Sequence, residues 1–99
     1  MQTHYPERFE REMGCTAAEW LASVPRALGD YPYQFTAPSL TVQIGAGQLR
    51  VSWQVGEPRV IALARIPRLL VQFGFTGVDE AQRLLFMKRF DLYMQRGGG

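Results

Sequence analysis

The residues able to do chemistry are few and scattered. The only histidine, His4, lies in a stretch rich in glutamate, and the only cysteine, Cys15, stands just before a helix-start pattern. The positive end of a helix can lower a thiol pKa, which gives Cys15 one route to nucleophilicity. A Cys–His pair also needs its base held within hydrogen-bond reach, and nothing in the spacing brings His4 to that position. Cys15 therefore reads as an unreactive thiol. Metal sites need clustered Cys, His or carboxylate ligands, and the acids here are dispersed. Asp79 and Glu80 read as first-turn helix acids, and Asp91 as the solvated partner of Lys88 three residues before it. The expectation is a non-enzymatic chain with no cofactor and no metal.

Two glycine patterns invite other chemistry. The chain closes on Gln95-Arg96-Gly97-Gly98-Gly99, and a terminal diglycine is what activating enzymes adenylate in ubiquitin-like and sulfur-carrier proteins. Those tails extend from a strand. This one follows a helical pattern in which Gly97 takes the left-handed closing position, so it reads as a helix end with a short flexible tail. Gly45-Ala46-Gly47 is half of a phosphate loop in composition, but such loops lead from a strand into a helix. Here a strand follows, and a tight hairpin is expected.

Arginine offers a third chemistry. Ten of the eleven cations are arginine, suited to bidentate contact with phosphate or carboxylate, although a GC-rich genome would produce the same bias. Residues 1–30 hold three arginines against five acids, a balance of −2; residues 31–99 hold seven arginines and Lys88 against four acids, a balance of +4. Arg50, Arg59, Arg65 and Arg68 are the candidate phosphate contacts of a nucleic-acid-binding sheet face. Against that reading, Trp53, Phe73 and Phe75 share the parity of the apolar side, leaving no aromatic platform for bases.

These groups must be positioned by a body of 99 residues, enough for one core and too little for two. A lone cysteine cannot form an internal disulfide and fits a reducing compartment. No apolar run approaches a membrane span, and no secretory signal opens the chain; a cytoplasmic protein is expected. Residues 1–15 read as an extension, in which either Pro6 opens a short helix ended by Gly14 or the chain is loose. Residues 16–96 read as a single α+β domain and 97–99 as the flexible glycine tail.

Within the domain, Thr16 and Glu19 form a capping-box pattern. Ala17, Trp20, Leu21, Val24 and Leu28 make the apolar stripe of an amphipathic helix, with a kink or early stop expected at Pro25. From Tyr33 the period becomes two. A short strand fits Tyr33–Thr36. Leu40, Val42 and Ile44 define the next strand, and Leu49, Val51, Trp53 and Val55 another. "RVIALARI" reads as a further strand, and Leu69, Val71, Phe73 and Phe75 define the last, with Pro67 marking a turn or edge. The fold class expected is a two-layer α+β domain: an N-terminal helix, an antiparallel meander of four or five strands, and a long C-terminal helix packed on one sheet face.

The final helix, from about Asp79 to Arg96, is apolar around most of its circumference. Val78, Ala81, Leu85 and Leu92 form one stripe, with Phe86 and Tyr93 beside it; Met87, Phe90 and Met94 point elsewhere. One sheet contact cannot cover all of them. Either the Trp20 helix and the sheet together enclose this helix, or Leu84, Phe86, Met87, Phe90, Tyr93 and Met94 are the candidate interface of an interaction module. The partner expected is a second copy of the chain or another protein, with nucleic acid behind these and a small-molecule pocket between helix and sheet as a further alternative.

Overall fold

The computed structural model describes residues 4–96, with the backbone alone at 95 and 96. The glycine tail and the closing role expected of Gly97 lie outside the described residues. Nine elements follow in order: β1 (Arg8–Met13), α1 (Ala17–Leu28), β2 (Tyr33–Thr36), β3 (Ser39–Ile44), β4 (Gly47–Val55), β5 (Arg59–Ile61), β6 (Ala64–Ile66), β7 (Leu69–Thr76) and α2 (Glu80–Arg96). The α+β architecture is as expected, with both helices against one face of a five-stranded antiparallel sheet ordered β1-β7-β4-β3-β2.

The amino-terminal segment is a strand, neither a short helix nor a loose extension. Phe9, Arg11 and Met13 alternate with exposed Arg8, Glu10 and Glu12, a period of two. The free edge of β7 takes up its backbone groups, Arg8 facing Gly74 and Met13 facing Leu69. The first strand thereby closes on the last.

α1 begins with the capping box: the Glu19 amide donates to Thr16 Oγ1 at 3.1 Å, and the Thr16 amide to Glu19 Oε1 at 2.9 Å. The early stop expected at Pro25 does not occur. The helix continues to Leu28 and ends at Gly29, φ 60°, whose amide bonds the Arg26 carbonyl. Val24, Ala27 and Leu28 are buried, and burial of that last turn outweighs the one amide that proline removes. Between β3 and β4 the expected tight hairpin forms with Gly45 at φ 57°. Gly47 is needed for a different reason: a Cβ there would lie 2.2 Å from the Gly77 carbonyl oxygen.

α2 sits on the sheet by a face other than the one its Leu/Ala stripe predicts. Phe86, Met87, Phe90 and Met94 are buried, whereas Leu85 is 67% exposed and Leu92 about half. Residues 83, 86, 87, 90 and 94 follow helical spacing, and they carry two rings and two methionines against the smaller payload of Ala81, Leu85 and Leu92. Phe90 meets Phe73 edge-on at 5.6 Å and Trp20 at 6.0 Å; Phe86 meets Phe75 at 6.2 Å and Tyr31 at 5.1 Å. These contacts join α2, β7 and α1 into one core.

A polar latch fixes the rim. The Arg11 guanidinium forks onto both carboxylate oxygens of Asp91, and the Tyr5 hydroxyl donates to Asp91 Oδ2 at 2.7 Å. The same guanidinium lies 5.7–5.8 Å from the ring centres of Tyr5, Phe9 and Phe73. Burial pulls the Arg11 pKa down, and the bond and charge of Asp91 more than restore it. Asp91 is thus the half-buried anchor of β1 on α2, not a solvated partner of Lys88. Arg83 adds a second tie, its Nε donating to the Tyr5 carbonyl at 2.8 Å and its Nη1 to the Val78 carbonyl at 2.7 Å.

Two outcomes follow. Asp91→Ala strands the Arg11 charge and is expected to lower unfolding free energy by about 2–3 kcal/mol in urea titration. Met87→Glu, at a fully enclosed site, is expected to abolish the cooperative thermal transition, whereas Leu85→Glu should alter stability by no more than about 0.5 kcal/mol.

Candidate functional site

The six candidates on α2 do not assemble into an exposed face. Phe86, Met87, Phe90 and Met94 are enclosed within the single chain, and Leu84 and Tyr93 are half-buried against the same core. This corrects the expectation of a docking seam there: the sheet and α1 cover the aromatic face, and the side left to solvent carries Leu85, Lys88 and Leu92. The helix–sheet space proposed for a small molecule is filled by those rings.

The four arginine candidates are also dispersed. Arg50 lies exposed in the middle of β4, on the open face of the sheet. Arg59 Nη2 donates to Glu12 Oε1 at 2.8 Å; Arg68 Nη2 donates to Glu12 Oε2 at 3.2 Å, and its Nη1 to the Glu57 carbonyl at 3.1 Å. Arg65 is exposed in β6. Two of the four are therefore engaged in holding an element in place.

That element is an exposed apolar surface with no counterpart among the expected sites. "RVIALARI" is not one strand: it folds back at Ala62-Leu63 into β5 and β6, which pair only with each other as a separate two-stranded sheet. Every residue from Arg59 to Ile66 is exposed, Leu63 at 103%. Ala62 takes φ 53°, the only non-glycine positive φ among the described residues, which costs about 1 kcal/mol in a residue with a Cβ.

The hairpin continues β4 and β7 after a break. Val55 faces Leu69 and Arg59 faces Ile66, so residues 56–58 oppose only 67 and 68. One extra residue on one arm is a bulge, which bends and twists the ribbon. Pro58 and Pro67 flank that break and remove ladder amides from it. Beyond it, an isolated two-stranded hairpin is marginal in water. The Glu12 carboxylate compensates by gripping both arms at their base through Arg59 and Arg68.

Cys15 is buried, and burial, then the Glu19 charge, pushes its thiol pKa up; the lowering expected from the helix start does not prevail. His4 Nδ1 lies 2.8 Å from Glu80 Oε1. Among the described residues no three His, Cys, Asp or Glu side chains converge as metal ligands, and no helix is long and apolar enough to cross a membrane. No protein family, curated protein or solved structure matches the chain. The hairpin is thus the feature of this surface with most to explain: six of its eight residues are apolar, where solvent-facing runs normally are not.

The bond from Arg68, then the charges of Arg68 and Arg59, hold the Glu12 carboxyl below its ordinary pKa. A depressed folded-state value contributes stability that is complete above the unfolded value and is lost as pH falls through the folded one. Amide exchange in residues 59–66, corrected for intrinsic rates, should therefore lose protection as pH drops below the ordinary carboxylate range. Glu12→Gln should remove that step while leaving β3 and β4 unaffected.

Proposed function

We propose that the protein is a non-enzymatic docking module that engages another protein through the β5–β6 hairpin. The observation that carries this reading is the exposure of Val60, Ile61 and Leu63 at the end of a braced ribbon. Small apolar tips held on a stiff support act as anchors when they enter a pocket that excludes water. The outer edges of β5 and β6 are unpaired, and a protein groove can satisfy them by strand addition. A lipid surface cannot supply those bonds, and the hairpin lacks the tryptophan or tyrosine typical of membrane interfaces.

Charge favours a different protein over a second copy. Residues 58–68 contain Arg59, Arg65 and Arg68 and no acid; the one Glu12 carboxylate shared by Arg59 and Arg68 offsets only part of that charge, so hairpin-to-hairpin pairing juxtaposes net positive surfaces. An apolar groove with an acidic rim complements them. The inaccessible Cys15 thiol and the exposed His4 give no support to nucleophilic catalysis. A lone thiol fits a reducing compartment such as the cytoplasm.

A photoreactive residue at Leu63 should cross-link in cells to one protein, through a contact peptide containing apolar and acidic residues. The cross-link should disappear with Ile61→Asp in a chain that retains its thermal transition, and the same probe at Leu85 should give none. Cross-linking only to a second copy, only to lipid, or equally from both positions would overturn the proposal.

A further inference from the structure

The open face of the sheet raises a question that the hairpin does not answer: why Gly74 is a glycine. It occupies the interior of β7 between Phe73 and Phe75, where a β-branched residue normally strengthens a strand. Its backbone does not need a glycine, because it is absent from the positive-φ positions and its register is continuous on both sides. Packing does not need one either: a Cβ there would meet nothing nearer than the Arg50 carbonyl oxygen at 4.0 Å. A strand glycine with neither reason marks a place where something approaches the backbone closely.

The neighbours indicate what that something is. Gly74 is flanked in register by Arg8 on β1 and Arg50 on β4. All three face outward, and at ordinary strand spacing the two arginine Cα atoms stand about 10 Å apart. Both arginines are exposed, and neither guanidinium makes a hydrogen bond or ion pair among the described residues. A depression of about 520 Å³ lies between them, lined also by Gln48, Ser52, Gln72 and Thr76 and, at one end, by Glu10, whose carboxylate accepts from Gln72 Nε2 at 3.0 Å. Two guanidiniums across a bare backbone, with neutral hydrogen-bonding side chains beside them and the one lining carboxylate, Glu10, a row away and bonded to Gln72, are complementary to an oxyanion.

We infer that this depression binds a small molecule through one phosphate or carboxylate group seated over Gly74 between Arg8 and Arg50. An extended polyanion fits less well. One row further along the strands, Glu10 occupies β1 and bonds Gln72 at 3.0 Å, and Glu12 follows it. The open face also presents no aromatic ring on which bases could stack. The site is separate from the hairpin and stands or falls independently of it.

The test is an amide-resolved NMR titration of the full chain with inorganic phosphate and with acetate, at constant ionic strength, beside a decathymidylate arm. Saturable shifts centred on Arg8, Arg50 and Gly74 with phosphate or acetate support the site, and the anion that saturates identifies its class. Gly74→Val adds bulk where there is space and keeps both arginines; it should weaken binding about tenfold or more, and Arg50→Gln similarly, with thermal transitions retained. Shifts that never saturate, or an unchanged affinity in Gly74→Val, would overturn the inference. Tighter binding of decathymidylate across the whole face would replace it with a nucleic-acid surface.

Discussion

Phe86 and Phe90 stand one turn apart on α2, and their placement constrains everything around them. Each ring reaches the sheet through β7, and Phe90 also reaches α1 through Trp20. Burying a side chain of this size contributes roughly 2–3 kcal/mol, so the helix rotates to enclose both. Met87 and Met94 share that side and fill the gaps between rigid rings. Once this face is chosen, Leu85 and Leu92 must face water, and Phe86 and Phe90 have no surface left to offer a partner.

The same constraint explains the charged residues at the rim. Arg11 occupies a position on β1 whose parity points to the core, and no aliphatic side chain there could reach α2 and also carry a hydrogen bond. Its guanidinium lies among three rings and ends on Asp91. A pair of this kind contributes less to net stability than its Coulomb energy suggests, but it specifies which edge of the sheet meets which turn of the helix. Closing β1 onto β7 gives the sheet its fifth strand and brings Arg8 beside Gly74 and Glu12 beside Arg68.

Much of the architecture could be read from local signals because those signals have local causes. Thr16 with Glu19, the glycine at 45, and the alternation through β3, β4 and β7 each depend on residues a few positions apart, and each appears in the structure. β1 was hidden because Arg11 interrupts its apolar parity, and only a distant aspartate makes that position acceptable. The buried helix face is not legible from periodicity, because periodicity weights leucine and alanine equally with phenylalanine, whereas buried area favours the rings. "RVIALARI" was hidden for the opposite reason: its apolar content implied burial, and no local signal indicates that a strand has no sheet to join. The arginines were legible as a type and not as a site, since Arg59 and Arg68 are committed to Glu12 across 47 and 56 residues of sequence.

The aromatic and methionine face of the final helix is therefore enclosed, and the longest continuous exposed apolar run is the hairpin, where the proposed function rests. Methyl-resolved NMR of dilute full-length chain with a soluble paramagnetic chelate measures both directly. Strong relaxation at Val60, Ile61 and Leu63 with protected methyls at Met87 and Met94 is the predicted result. Protected hairpin methyls, or a strongly relaxed Met87 and Met94, would contradict the account.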